Sequence, residues 1–173
     1  MSSDGVNTGR RRFLTAATSA VGVAGAVGIA VPFVGSWNPS AKAKAAGAPV
    51  KADISKVEPG QMVVVEWRGK PVYVMRRTPE QVADLASLNS YLKDPDSAIS
   101  VQPDYIKDID RAIRPEILVL VGLCTHLGCA PKFRPEVGVV DLGGDHWKGG
   151  FFCPCHGSTF DLSGRVYNGV PAP

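Results

Sequence analysis

Hydrophobic positions follow two rhythms along this chain. Between Arg12 and Lys42 no charged residue occurs, and residues 14–34 form one apolar, small-residue run of 21 positions. As a helix that run spans roughly 31 Å, enough for a hydrocarbon core, which predicts a single membrane-spanning anchor over residues 13–37. Residues 38–50 are small, with prolines at each end, and predict a flexible hinge. From residue 51 the pattern shortens into β-rich runs. Residues 61–67 and 71–77 flank a glycine-containing turn and predict a hairpin. Thr78, Pro79 and Gln81 supply a cap, a first-turn proline and a capping-box partner, predicting one short helix to about Asn89. Residues 91–115 are polar and proline-punctuated and read as a long loop. Residues 116–122 predict a buried strand and residues 149–152 a shorter one, with Gly, Asp and Pro marking turns between them. The region 51–173 is therefore expected to be a mainly β domain.

Charge changes the picture by segment. The net charge of +3 divides into +4 over residues 1–49, where five basic residues face Asp4 alone, and −1 over residues 50–173, where 14 basic residues face 15 acidic ones. The β domain is near neutral, which argues against a nucleic-acid partner. Arg10-Arg11-Arg12-Phe13-Leu14 resembles a twin-arginine signal, the route that exports folded proteins, so residues 1–12 are expected to be a cytoplasmic twin-arginine segment. Residues 40–46 offer A-x-A-like cleavage options, but the apolar run is longer than a usual signal core, which favours a retained anchor.

The chemistry concentrates in two boxes. Cys124-Thr125-His126-Leu127-Gly128-Cys129 and Cys153-Pro154-Cys155-His156-Gly157-Ser158 hold all four cysteines and two of the three histidines. Each offers a Cys-plus-His pair, Cys124 with His126 and Cys153 with His156, which together can ligate a 2Fe-2S core. Structural zinc also accepts such a set, but zinc spacings have no use for the second cysteine of each box. Two plain disulfides would leave both histidines without a role. His146, in a glycine-rich turn, reads as an exposed residue and not a fifth ligand.

These boxes resemble those of the Rieske iron-sulfur proteins, whose pattern is C-x-H-x-G-C followed by C-x-x-H. The resemblance extends to the anchor, the hinge, residues 74–80 and the closing residues 169–173. It implies a Rieske-type antiparallel β-sandwich with one short helix, preceded by a single N-terminal transmembrane helix, with the cluster-binding part at about 117–173. It implies one 2Fe-2S cluster with Cys124 and Cys153 on one iron, His126 and His156 on the other, and a Cys129–Cys155 disulfide tying the loops. It further implies that His156 accepts the quinol hydroxyl with His126 also near the surface, that Leu127 docks in the quinol pocket, and that Ser158 donates to a bridging sulfide. Many family members carry a tyrosine two positions after that serine; Phe160 stands here, which implies a lower potential.

Function follows from the same resemblance: an electron-transfer subunit of a cytochrome bc complex that takes one electron from ubiquinol and passes it to a c-type haem. The implied partners are a cytochrome b subunit, a cytochrome c-type haem subunit and ubiquinol, within a dimeric complex. The implied location is the bacterial inner membrane, N-terminus cytoplasmic and cluster domain periplasmic. Residues 169–173 resemble the start of the proline-rich loop that covers the cluster, and family members continue beyond it, so the sequence is expected to be truncated or its sheet to lack strands. The runner-up is the Rieske subunit of a periplasmic oxidase such as arsenite oxidase, which needs no mobile tether. A Rieske ferredoxin is disfavoured by the anchor and by the disulfide cysteines, which suit an oxidising compartment.

Overall fold

The computed structural model describes Gly5 and residues 7–173 and divides the chain into two units, Met1–Ala46 and Gly47–Pro173. In the first unit, α1 (Thr8–Gly35) is 28 residues long and apolar enough to cross a membrane. It starts earlier than the expected anchor because Asn7 caps it, accepting the Arg10 N–H at 3.0 Å, so the three arginines form its first turns. Of the expected segment 1–12, residues 1–4 and Val6 lie outside the described residues. Part of the expected hinge is also helical: α2 (Ala41–Ala46) is an alanine- and lysine-rich turn and a half, started by Ser40 accepting the Ala43 N–H.

The second unit is mainly β. β1 (Met62–Trp67) and β2 (Lys70–Arg76) form the predicted hairpin, paired antiparallel from Met62 opposite Met75 to Trp67 opposite Lys70. β3 (Ile117–Val121) pairs antiparallel with the other side of β2, completing a sheet in the order β1-β2-β3. A second antiparallel sheet, β4 (Lys132–Arg134), β5 (Gly150–Phe152) and β6 (Thr159–Phe160), carries the cluster boxes at its ends. Strand alternation puts Tyr73, Met75, Leu118 and Leu120 on one face of the first sheet, where they share a core with Phe151, Phe160 and Leu162.

The helix after β2 is half as long as expected. Thr78 and Gln81 form the capping box reciprocally, at 3.2 and 2.9 Å, but α3 (Pro79–Asp84) then tightens into a 3-10 turn over Leu85–Tyr91. Where the helix tightens, the distant Arg165 guanidinium donates to the Leu85 carbonyl at 2.7 Å, and the Ser87 hydroxyl, three residues on, donates to that of Asp84. Arg165 is itself fully buried against Asp161 at 2.8 Å, a pair that fastens the strand following the second box to this helix. Arg77, equally buried, donates to the carbonyls of Pro115, Leu162 and Asp110 and to Ser163 Oγ.

Beyond Tyr91, residues 92–115 run as the expected long loop, with a 3-10 turn at Asp104–Ile106 and single antiparallel bridges from Leu92 to Tyr167 and from Arg114 to Ile117. Asp94 organises it, accepting the N–H groups of Ala98, Ile99 and Ser100 and the Ser100 hydroxyl. Burial pushes this carboxyl up, but the hydrogen bonds outweigh it and hold it well below the usual carboxylate range, at about 2.

Candidate metal centre

The two boxes fold into one and the same turn. In the first, which follows β3, Cys124 N–H donates to Cys129 O at 2.7 Å and Gly128 N–H to Cys124 O at 2.8 Å. In the second, which follows β5, Cys153 N–H donates to Ser158 O at 2.8 Å and Gly157 N–H to Cys153 O at 3.0 Å. Each turn closes through a left-handed glycine four residues after its leading cysteine, Gly128 at φ 79° and Gly157 at φ 77°. A side chain at either position would have room but would carry the backbone strain.

The turns are joined by a disulfide between Cys129 and Cys155, with Cα atoms 6.7 Å apart. That leaves Cys124 and Cys153 as the free, buried thiols of the described residues. They lie against one another: burial pushes the Cys153 thiol up, the Cys155 backbone N–H draws it down, and contact with the Cys124 thiol raises it further. Two thiols this close and this dry are poor neighbours as thiolates unless a cation stands between them. The Sγ atoms of Cys129, Cys153 and Cys155 also lie within 4.8 Å of one another, but the disulfide removes two of that trio as ligands.

The two histidines also meet. The rings of His126 and His156 have centroids 4.8 Å apart and stand nearly perpendicular, at 84°. His126 is half-buried and its Nδ1 is wholly enclosed, with no hydrogen-bond partner among the described residues. A buried ring nitrogen so placed costs about 1–3 kcal/mol unless something supplies a partner. His156 is exposed. Two adjacent thiols, two adjacent imidazoles and an orphaned ring nitrogen fit a 2Fe-2S group, a soft-sulfur and imidazole donor set.

The remaining expected residues take distinct places. Leu127 is 70% exposed at the tip of the first turn. Ser158 is fully buried, and its Oγ accepts the Ala172 N–H at 3.1 Å, which leaves the hydroxyl proton free to donate elsewhere. Phe160 is buried in the core with Phe151, on the strand that leaves the second box. His146 is exposed, as expected, and stacks on Tyr91 at 4.0 Å. Sequence reasoning passed over the hydrogen bond from Ala172 to Ser158, which joins positions 14 residues apart. The repeated turn, by contrast, was marked by glycines at matching offsets, Gly128 and Gly157.

A family described as "Rieske [2Fe-2S] domain" matches residues 48–173, and one described as "Ubiquitinol-cytochrome C reductase Fe-S subunit TAT signal" matches residues 1–40. The chain is 61% identical over 173 residues to the ubiquinol-cytochrome c reductase iron-sulfur subunit of Allochromatium vinosum, covering 100% of this chain and 83% of that protein. It is 44% identical over 180 residues to the corresponding subunit of Blastochloris viridis, covering 99% and 86%. The Rieske subunit of the mitochondrial cytochrome b-c1 complex of Schizosaccharomyces pombe is 41% identical over 155 residues, covering 89% of this chain and 58% of that protein.

Proposed function

The chain belongs to the Rieske iron-sulfur subunits of ubiquinol-cytochrome c reductases and holds a 2Fe-2S cluster, and we propose that its two boxes receive an electron and a proton from ubiquinol outside the membrane. Cys124 and Cys153, as thiolates, and His126 and His156, through imidazole nitrogen, would hold the cluster. When bound, a 2Fe-2S group with two thiolates and two neutral imidazoles carries no net charge when oxidised and accepts an electron at roughly −150 to +300 mV, within reach of a quinol.

The residues divide the remaining work. His156, exposed where His126 is half-buried, accepts the hydrogen bond and then the proton of the quinol hydroxyl on the ring nitrogen that faces solvent. Leu127, exposed at the tip of the first turn, seats the turns in an apolar quinol pocket. Ser158 donates from a site with no access to water, which stabilises added negative charge. Cys129 and Cys155 keep the turns together so that neither histidine drifts. The single observation that carries this reading is the pairing of the His126 and His156 rings at 4.8 Å across two turns locked by a disulfide, one imidazole half-buried and the other exposed.

The N-terminal match and the apolar helix fit a membrane-anchored subunit of a bacterial bc complex. Within that, α1 crosses the inner membrane with its arginines in the cytoplasm and the cluster domain in the periplasm. Residues 38–50 tether the domain so that it serves cytochrome b and a c-type haem subunit in turn, in a dimeric complex. Low-temperature EPR on ascorbate-reduced membranes containing the chain, with and without a quinol-site inhibitor, tests the reading. A Rieske signal that shifts with inhibitor is expected; a signal indifferent to it would overturn the contact of the boxes with a quinol site.

A further inference from the structure

Lys93 belongs to neither box, yet its hydrogen bonds lead to both the closing loop and Ser158. Its backbone N–H donates to Val166 O at 2.9 Å, Asn168 N–H donates to Tyr91 O at 2.8 Å, and Leu92 bridges Tyr167, so residues 91–93 lie antiparallel to 166–168. From there the Lys93 ammonium donates to two carbonyls of the closing loop, Val170 O at 2.9 Å and Ala172 O. In that loop Pro171 and Pro173 lack an N–H and both are exposed. Ala172 alone among residues 169–173 is fully buried, and its N–H is the donor to Ser158 Oγ.

A hydroxyl has one proton and two lone pairs, and the proton rotates to whichever acceptor is left. With Ala172 N–H fixed on one lone pair, the Ser158 proton cannot turn toward Ala172 and must point to the other side. If the loop loosens, that restriction goes with it.

We propose that Lys93 is a positioning residue for the cluster: by clamping the Val170 and Ala172 carbonyls it seats Ala172 N–H on Ser158 Oγ and so commits the Ser158 proton to the cluster. The inference rests on the reading of Ser158 as a donor to the bound group. It also differs from a simple charge effect, because it acts through one hydroxyl.

The test is a potentiometric titration followed by EPR on the full chain in its complex, with Lys93→Met, Lys93→Arg, Ser158→Ala and the double variant Lys93→Met/Ser158→Ala. Ser158→Ala is expected to lower the reduced-to-oxidised ratio at fixed potential by roughly threefold to tenfold, the worth of one hydrogen bond. Lys93→Met should lower it in the same direction, Lys93→Arg should restore it, and Lys93→Met should add nothing in the Ser158→Ala background. Amide hydrogen exchange in residues 170–172 should quicken in Lys93→Met and recover in Lys93→Arg. An unchanged ratio in Lys93→Met, or an equal drop in both backgrounds, overturns the proposal while leaving the Ser158 reading intact. No shift in Ser158→Ala itself overturns that reading and the proposal together. Should Lys93→Met hold no cluster, Lys93→Gln, shorter and uncharged and so unable to clamp both carbonyls as the ammonium does, takes its place, with a partial drop expected that vanishes in the Ser158→Ala background; no drop overturns the proposal.

Discussion

The two cluster turns share one backbone and differ in what they carry. Cys124 and Cys153 lead them, and Gly128 and Gly157 close them with matching hydrogen bonds and matching φ. Between those fixed points the side chains are permuted. Where the first turn has His126, the second has Cys155; where the first has exposed Leu127, the second has exposed His156; where the first ends on Cys129, the second ends on buried Ser158. The permutation leaves one histidine half-buried and the other exposed, and it lets one disulfide join the third position of one turn to the last of the other. A shared backbone thus carries an asymmetric site, with His126 half-buried and His156 exposed.

Breaking the permutation at a ligand has the largest effect. Cys153→Ala or His156→Ala should abolish the reduced-cluster EPR signal altogether, and so should the partners Cys124→Ala and His126→Ala; a signal surviving any of the four would remove that residue from the ligand set. Next comes the link between turns. Cys129→Ser and Cys155→Ser each leave the partner unpaired and should lower unfolding stability by about 2–4 kcal/mol, read by thermal melting of the solubilised chain, with equal losses for the two. The shared backbone is probed by Gly128→Ala and Gly157→Ala, where nothing stands within 4 Å of an added Cβ. Each should cost about 1–2 kcal/mol from backbone strain alone, and a large inequality in the melts would show that the turns are not equivalent. The smallest change sharpens the contrast just past the second turn: Phe160→Tyr adds a donor and should raise the midpoint by roughly 20–65 mV, the one-electron equivalent of about 0.5–1.5 kcal/mol. An unchanged or lowered midpoint in a redox titration removes Phe160 from potential tuning.

What could be read in the sequence was local. The capping box at Thr78 and Gln81, the hairpin about Gly69 and the two boxes are each written within a few neighbouring residues, and each is found in the structure. β4 and β6, at three and two residues, are too short to show strand alternation. The 3-10 turn after Asp84 is met by Arg165, 80 residues away, and the α2 turn reflects alanine and lysine propensity inside a segment whose flanking prolines suggested only a tether. The unequal exposure of His126 and His156 was likewise hidden, because it arises from where each falls in a turn whose shape the spacing alone does not reveal. Lys93 looked like any surface lysine, since its carbonyl partners lie 77 and 79 residues further on.

The central claim is that two thiolates and two imidazoles, one pair from each turn, hold the cluster. Pulsed EPR of the reduced complex, with histidine labelled with nitrogen-15, counts the imidazoles directly. Two coupled histidine nitrogens are predicted; one or none would contradict the account and would require cysteine ligands that the Cys129–Cys155 disulfide leaves no room for.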